Sequence, residues 1–271
     1  MKIIVMIKQV PETSDVKMDE QSGTMVREGV ESIINPLDLY AVETGIKLKE
    51  QYGGQVVAIT MGPPKAEKAL REALAMGCDE GILISGKEFA GSDTVATAYV
   101  LAQAIKMVGD YDLVLAGERA TDGDTGQVGP GVAALLNLPL STYTSSIVDL
   151  VDKTITVERL TEEGYEVLEL PMPALLTVVK EISFPRLPTL RGKQRAKKHE
   201  FLRWTAEGMS LERDKLGLRG SPTRVVKIEH PKVLRQGQIL RVTDEETLDK
   251  AIDLLEKFLG DKEIITKEGK G

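Results

Sequence analysis

Residues 115–131 have the sequence LAGERATDGDTGQVGPG, and this stretch decides the fold class of the chain. The apolar run that overlaps its start, residues 111–116, predicts a buried strand, and the residues after Gln127 predict the beginning of a helix. A loop of small residues, hydroxyls and carboxylates therefore joins a strand to a helix N-terminus. Because loop N–H groups and the helix dipole both favour an anion, the stretch predicts an α/β protein that holds a phosphate or ribose there.

Strand and helix patterns alternate throughout the first half of the chain. Apolar runs predict strands at residues 2–7, 55–61, 81–85 and 112–116. Helical patterns are found at residues 36–52, 65–76, 92–108 and 131–136. Asn35 is the expected cap of the first helix, with Pro36 at its first position, and Ser92 or Asp93 is the expected cap of the third. The alternation is typical of a Rossmann-like, mostly parallel sheet with helices on both faces.

Ligands of such sheets bind outside the carboxyl ends of the strands. Four segments are therefore expected to converge at one edge: residues 8–11, Asn35 with Asp38, residues 61–63, and residues 117–129. None of them contains G-x-G-x-x-G or G-x-x-x-x-G-K-[ST], so an ordinary dinucleotide-binding domain and a P-loop enzyme are poor fits.

The second half of the chain has a different character. Two strand patterns, residues 154–159 and 165–170, flank a turn and predict a hairpin, and residues 174–179 predict another strand. Residues 184–198 combine prolines with many cations, which indicates an exposed loop that enters a basic helix. Residues 243–259 predict an amphipathic helix capped at Thr243 or Asp244. We assign residues 1–200 to a nucleotide-binding domain and residues 201–271 to a C-terminal arm that packs on a partner. In the first half, residues 16–27 predict a hairpin or an extended excursion.

Composition excludes several classes of function. A net charge of −7 and an aromatic content of 4% argue against nucleic-acid binding. Cys78 is the only cysteine and is expected to be a buried thiol, and two histidines make a metal site improbable. Without a long apolar run or the features of a signal peptide, a cytoplasmic protein with no membrane span is expected.

The chain resembles the β (small) subunit of electron-transferring flavoproteins over nearly its whole length. The motifs that carry the resemblance are, in order, KQVP at 8–11, NPLD at 35–38 followed by AVE at 41–43, MGP at 61–63, ALAMG at 73–77, the loop at 117–129, and VER at 157–159 through EEG at 162–164 to PALLT at 173–177. Each motif alone is common. Their order and spacing together make the resemblance specific.

The resemblance implies a heterodimer whose α subunit carries an electron-transfer FAD. In conventional members the β subunit holds a structural AMP. In a bifurcating subgroup it holds a second FAD, which accepts hydride from NADH and passes one electron to ferredoxin or flavodoxin and one, through the α-subunit FAD, to an acyl-CoA dehydrogenase. Since flavin carries this chemistry, no catalytic side chain is expected.

The compact loop at 117–129 and the SDTVAT sequence at 92–97 resemble the FAD-binding subgroup. Small residues leave room for a pyrophosphate and a ring system, and Thr94 and Thr97 add uncharged donors that suit a flavin edge. The conventional AMP-bearing carrier is the alternative. An adenine-nucleotide-sensing module of the stress-protein type is an alternative from another class, although such modules end after the sheet.

The resemblance and the strand ends together predict a set of cofactor-binding residues. They are Met6, Lys8, Val10, Asn35, Asp38, Met61, Gly62, Asp93, Thr94, Thr97, Gly117, Glu118, Asp122, Gly123, Asp124, Thr125, Gly126, Gln127, Val128, Gly129 and Pro130. Simple helix capping and strand termination are the plainer interpretations of several of these positions. A surface ion pair is the plainer interpretation of Glu118 with Arg119, which the resemblance places where NADH docks. Leu190, with Arg191 beside it, is the predicted anchor of a recognition loop for the dehydrogenase; a solvated charge run is the plainer interpretation of that loop.

Overall fold

A computed structural model describes residues 1–12, 31–226, 237, 239–262 and 264 of the chain. The predicted hairpin at residues 16–27 lies outside these described residues. The chain forms two compact units, Met1–Ile228 and Glu229–Gly271. The predicted boundary after residue 200 therefore falls inside the first unit.

The first unit contains the strands and most of the helices. The strands are β1 (Lys2–Met6), β2 (Gln9–Pro11), β3 (Ser32–Ile34), β4 (Gln55–Met61), β5 (Glu80–Ile84), β6 (Leu113–Gly117), β7 (Leu140–Val151), β8 (Thr154–Thr161), β9 (Gly164–Pro171), β10 (Ala174–Val178) and β11 (Leu202–Trp204). The helices are α1 (Asp38–Tyr52), α2 (Glu67–Met76), α3 (Thr94–Val108), α4 (Val128–Leu136), α5 (Leu190–Lys198) and α6 (Gly217–Gly220). The second unit contains α7 (Glu245–Asp261).

Among the described residues, nine strands form one sheet in the order β11-β5-β4-β1-β6-β10-β7-β8-β9. The pairings from β11 to β7 are parallel, and those between β7, β8 and β9 are antiparallel. β2 and β3 form a separate antiparallel pair. The prediction of a mostly parallel, Rossmann-like sheet is confirmed.

Two hydrophobic clusters cover the two faces of the sheet. Alternate residues of β1 belong to opposite faces of the sheet. Ile3 and Val5 pack with α1 and α2, whereas Ile4 and Met6 pack with α3 and α4. Burial on both faces explains why the central strands are continuous apolar runs in the sequence. Across the described residues, no helix has the length and apolar character that crossing a bilayer requires.

Several local predictions fail in the first unit, and the structure gives the reason for two of these failures. Helix α1 begins at Asp38, two residues later than expected, and Asn35 does not cap it because its side chain is hydrogen-bonded elsewhere. Strand β7 was not expected, since hydroxyl side chains such as Ser141 and Thr144 interrupt its apolar pattern. Both hydroxyls can be buried because Thr144 Oγ1 donates a hydrogen bond to Ser141 Oγ at 2.9 Å.

The predicted caps of two helices are confirmed. Asp93 caps α3 by accepting hydrogen bonds from the backbone of Val95 and Ala96. Asp244 caps α7 in a capping box with Thr247. The hairpin predicted in the second half is also confirmed, as β8 and β9.

Candidate functional site

A cavity of about 950 Å³ lies at the carboxyl ends of β1, β4, β5 and β6, beside the N-termini of α3 and α4. This is the edge at which a parallel sheet binds its ligands, and the volume is near the top of the range for cofactor sites. Most of the predicted binding residues line it: Met6, Lys8, Asp38, Met61, Gly62, Asp93, Thr94, Thr97, Gly117, Glu118, Gly123, Thr125, Gly126, Gln127, Val128 and Gly129.

Five predicted residues do not line the cavity. Val10 is buried in β2, and Pro130 lies in the first turn of α4. Asn35 contacts the loop at 117–129, which bounds the cavity, whereas Asp122 and Asp124 belong to that loop and pair with Lys8 and Arg119. The side chain of Asn35 is buried behind this loop, whereas that of Asp124 is largely exposed.

Asn35 braces the loop at 117–129 from inside the protein. Its side chain is fully buried, and its Nδ2 donates to Asp38 Oδ1 and to the carbonyl of Arg119, both at 2.9 Å. Its Oδ1 accepts from the backbone N–H of Thr121 at 3.1 Å. One amide side chain therefore fixes the position of the loop relative to the start of α1.

Asp38 joins β1, α1 and β6 at the floor of the cavity. Its Oδ2 accepts from the backbone N–H of Lys8 at 2.7 Å, opposite the bond from Asn35 to Oδ1. Burial raises the pKa of this carboxyl to about 7, although hydrogen bonds from Asn35 and the backbone of Lys8 and Gly117 oppose the rise. Asp38 therefore changes its charge near neutral pH, inside the site.

Ion pairs link residues within the loop at 117–129 and join this loop to the segment that follows β1. Lys8 Nζ lies 2.5 Å from Asp122 Oδ1, and Arg119 Nε lies 2.7 Å from Asp124 Oδ1. Arg119 also lies 3.6 Å from a carboxylate oxygen of Glu118. The two aspartates thus hold cations of the protein.

Two helix N-termini meet at the cavity. Thr94 Oγ1, at the start of α3, donates to Gln127 Oε1, beside the start of α4, at 2.8 Å. Within the described part of the chain, no side chain caps α4. Its first N–H groups are therefore available to an anion, which the dipoles of both helices favour.

Gly117 permits the close approach of β6 to α1. A Cβ at this position would lie 2.5 Å from Asp38 Oδ1 and 2.8 Å from the carbonyl carbon of Leu37. Gly123, in the same loop, has nothing within 4 Å of such a Cβ. Glycine is therefore required at 117 for steric reasons that do not apply at 123.

The cavity wall at residues 85–92 was missed by the sequence reasoning. Ser85, Gly86, Lys87 and Phe89 line the cavity directly after β5. Because β5 ends at the same edge as β1, β4 and β6, the rule that selected the other segments also applied to Ser85. Lys87 is exposed and has no ion-pair partner among the residues that the structure describes.

The 184–198 segment presents apolar side chains to solvent. Leu190 is the first residue of α5 and is 81% exposed, and Phe184 and Leu187 are 88% and 87% exposed. Arg191 follows Leu190 and is also exposed. Leu190 and Arg191 therefore lie where a partner can reach them.

Arg186 fastens the start of the 184–198 segment to α1. Its guanidinium contacts both oxygens of Glu43, with Nε at 2.9 Å from Oε2 and Nη2 at 3.0 Å from Oε1. It also contacts Glu50, at 2.6 and 2.8 Å. Glu43 is buried, so Arg186 supplies the countercharge that its burial requires.

Helix α5 is fastened to α2 by arginines from both helices. Arg195 Nη2 donates to the carbonyls of Leu74 and Cys78, both at 2.7 Å, and Arg71 donates to the carbonyl of Ala196. A Cβ on Gly192 would lie 2.1 Å from the carbonyl oxygen of Ala75. The segment is thus held at both ends while its apolar side chains stay exposed.

Cys78 is fully buried, as expected, and burial raises the pKa of its thiol to about 12. Among the described residues, no group of three histidine, cysteine or carboxylate side chains is placed to hold a metal ion.

Comparison with known proteins identifies the family. Residues 22–208 match the electron transfer flavoprotein domain. The chain is 46% identical over 256 residues to an electron transfer flavoprotein subunit beta of Thermoanaerobacterium thermosaccharolyticum, which covers 94% of this chain and 98% of that protein. It is 43% identical over 266 residues to the caffeyl-CoA reductase-Etf complex subunit CarD of Acetobacterium woodii, covering 98% and 100%. It is 42% identical over 238 residues to the protein FixA of Azorhizobium caulinodans, covering 85% of each. The chain belongs to the electron transfer flavoprotein family, among its β subunits.

Proposed function

We propose that the cavity holds FAD and that the chain acts as the β subunit of a bifurcating electron transfer flavoprotein. The observation that carries the proposal is the cavity itself: about 950 Å³ at the sheet edge, beside two helix N-termini, one of which has no side-chain cap among the described residues. A pyrophosphate-bearing cofactor needs both the volume and the anion site.

The residues at the cavity fit the parts of FAD. Thr125, Gly126 and Gln127 precede α4, and we assign the phosphates to their N–H and side-chain donors. Thr94 and Thr97 line the cavity from α3, and we assign to them the polar edge of the flavin. Behind this surface, Asn35 keeps the loop in position.

The chemistry that bound FAD supplies is hydride acceptance from NADH and one-electron transfer, with one electron passing to ferredoxin or flavodoxin and one, through the α-subunit FAD, to an acyl-CoA dehydrogenase. This chain's part is to bind and orient the cofactor and to limit its contact with water. We assign the docking of NADH to the loop edge at Glu118 and Arg119, which both line the cavity.

Two surfaces support partner binding. In the second unit, α7 exposes Leu248, Ile252 and Leu255 on one side, and we propose that the α subunit covers them. In the first unit, we propose that Leu190 inserts into an apolar pocket of the dehydrogenase. The name of CarD, which places that relative in a caffeyl-CoA reductase complex, supports a partner that acts on an acyl-CoA.

The test is to extract and quantify the nucleotides of the complex purified with its α subunit. Two FAD and no AMP per heterodimer, with bleaching of both flavins by NADH, would support the proposal. One FAD with one AMP would identify a conventional carrier, and Glu118, Arg119 and Thr94 would then have structural roles. A chain that is stable and monodisperse without the α subunit would contradict the assignment of α7.

A matched pair of variants tests the assignment of the flavin edge. Thr97→Val removes a hydroxyl from the cavity lining, and Thr161→Val removes one from the β8–β9 turn, where it bonds to the carbonyl of Gly164. We expect the first variant to shift the absorption maximum and the reduction potential of the β-site flavin, and the second to change neither. Equal spectra in both variants would contradict the assignment of Thr97.

A further inference from the structure

Residues 217–223 lie against the cavity wall, far along the chain from the loops they contact. Ser221 Oγ accepts from the backbone N–H of Asp93 at 2.8 Å and donates to the carbonyl of Gly217 at 2.6 Å. Thr223 donates twice to Asp93 Oδ2, from its backbone N at 3.0 Å and from Oγ1 at 2.8 Å. Asp93 is thus held by two residues of this segment.

The carboxylate of Asp93 is fully used by these contacts. Its Oδ1 accepts from the N–H groups of Val95 and Ala96, at 3.0 and 3.1 Å, and its Oδ2 accepts both bonds from Thr223. A carboxylate offers about four acceptor positions, so none remains for a ligand. Burial would raise the pKa of Asp93, but these hydrogen bonds outweigh it and hold the pKa below its usual value. Asp93 therefore connects parts of the protein, although it lines the cavity.

The segment and the wall also pack closely together at two glycines. A Cβ on Gly217, where φ is +55°, would lie 2.3 Å from the carbonyl oxygen of Glu88. A Cβ on Gly91, where φ is +74°, would lie 2.5 Å from Leu218 Cγ. The segment therefore packs against the wall with no space for a larger residue at either glycine.

The contacts continue from the segment to the anion site. Asp93 caps α3, and the next residue, Thr94, donates to Gln127 beside the start of α4 at 2.8 Å. A shift of Asp93 would therefore move the N-terminus of α3 relative to the N-terminus of α4. The family domain matched by the chain ends at residue 208, so the segment that holds Asp93 lies beyond it.

We infer that Ser221 and Thr223 are positioning residues for the nucleotide, which act through Asp93 by holding the N-terminus of α3 against that of α4. The inference rests on the proposed function, because the ligand is the adenine nucleotide of the cavity. It assigns a binding role to two residues that do not themselves line the cavity.

The test uses the complex with the α subunit, stripped of its β-site nucleotide. Binding of FAD and of AMP is measured by equilibrium dialysis for the wild type, for Thr223→Val and for Ser221→Ala/Thr223→Val. We expect the dissociation constant of the nucleotide that the wild type binds to rise about tenfold in the double variant and about threefold in Thr223→Val, since charge-assisted hydrogen bonds are lost. Thr223→Ser retains the hydroxyl and should bind like the wild type.

Thr161→Val is the matched control, because it removes a hydroxyl of the same kind from the distant β8–β9 turn. The wild type must bind a nucleotide; if it binds neither FAD nor AMP, the proposed function fails. If it binds FAD and the variants bind FAD equally well, the inference is overturned while the proposed function stands. If it binds AMP instead, the proposed function fails, and equal binding of AMP by the variants would still overturn the inference. A lower melting temperature with unchanged affinity would also overturn it. Should the double variant not fold, Thr223→Val, which keeps the backbone bond and the side-chain bulk, decides the question.

Discussion

The cavity and the 184–198 segment are both held by hydrogen bonds to charged groups, yet they present opposite surfaces. Around the cavity, Asn35 and Asp38 hold the loops that line it. In the segment, Arg186 and Arg195 hold the backbone, while Leu190 stays almost fully exposed. A resident cofactor needs enclosure, whereas a transient partner needs an anchor that is already in place, because each side chain that is ordered on binding costs affinity.

The two regions should also differ in the substitutions that they tolerate. The cavity depends on small distances, such as those around Gly117, and on one carboxyl whose charge changes near neutral pH. The 184–198 segment depends for its position on the arginine hydrogen bonds at its two ends, and for its contact surface on a few exposed side chains. Changes in one region should therefore leave the function of the other intact.

The largest effect is expected for Arg186→Leu. It leaves Glu43 buried without its countercharge, and breaking a buried pair costs about 3–5 kcal/mol. Since the Arg186 side chain is itself 32% exposed, we expect a loss at the lower end of this range, about 3 kcal/mol, in the unfolding free energy of the complex. Thermal and urea unfolding measure it.

The double variant Glu43→Gln/Arg186→Leu is the matched control, because it removes both charges and should recover part of the loss. Partner affinity should fall in Arg186→Leu while nucleotide content stays the same. Loss of nucleotide in this variant would show that the two regions are not independent.

Asp38 is expected to make the free energy of unfolding depend on pH. Its pKa is 3.8 in an ordinary environment and about 7 when folded, so between these values the folded state retains a proton that the unfolded state has released. Stability therefore falls as the pH rises through this window, by at most about 1.4 kcal/mol per pH unit. Asp38→Asn should remove this part of the slope, as measured by urea unfolding across the window.

The exposed carboxylate Asp149 provides the control for this experiment. Asp149→Asn should leave the slope of the wild type unchanged. An unaltered slope in Asp38→Asn would mean that the Asp38 carboxyl is charged throughout the window, with the neighbouring N–H groups outweighing its burial.

Much of the cavity was predictable because its location follows from local patterns. The central parallel strands β1, β4, β5, β6 and β10 have apolar runs in the sequence, and the residues after β1, β4 and β6 had to meet at one edge. The wall after β5 follows the same rule and was overlooked. By contrast, nothing local predicts that Ser221 bonds to Asp93, 128 residues away in the sequence.

Side-chain roles within the cavity were harder to predict than positions. Asn35 and Asp38 form the expected motif, but the sequence does not say whether an amide caps a helix or braces a loop. The structure decides this through the contacts of Asn35 with Arg119 and Thr121, which lie on a different strand–helix connection. Tertiary contacts of this kind have no periodic signal.

Gly117→Ala is expected to have the next largest effect. The added Cβ meets Asp38 and the backbone of Leu37 at distances that require a shift, which typically costs about 1–3 kcal/mol. We expect the nucleotide affinity to fall by about 2 kcal/mol, or about thirtyfold, as measured by equilibrium dialysis. Gly123→Ala, where the Cβ meets nothing, is the matched control in the same loop and should bind normally. Equal affinities in the two variants would show that the loop adjusts freely.

Leu190→Ala tests the anchor without touching the cavity. Burying a leucine side chain contributes about 1.5–3 kcal/mol, of which alanine keeps a part, so we expect the dissociation constant for the dehydrogenase to rise about tenfold. Nucleotide content and spectra should not change. Leu202→Ala, at another exposed leucine outside the segment, is the control. Unchanged transfer of electrons to the partner would contradict the anchor role.

The smallest effect is expected for Arg191→Gln, at the exposed rim beside the anchor. Rim charges steer encounters more than they hold complexes, so the association rate should fall severalfold at low ionic strength, and the dissociation rate should hardly change. The cost in affinity should stay below about 1 kcal/mol. Stopped-flow mixing with the dehydrogenase at several salt concentrations measures both rates, and Lys106→Gln, an exposed cation on α3, is the control. A salt-independent loss would instead show that Arg191 makes a desolvated contact, and the 184–198 segment would then carry a second anchor beside Leu190.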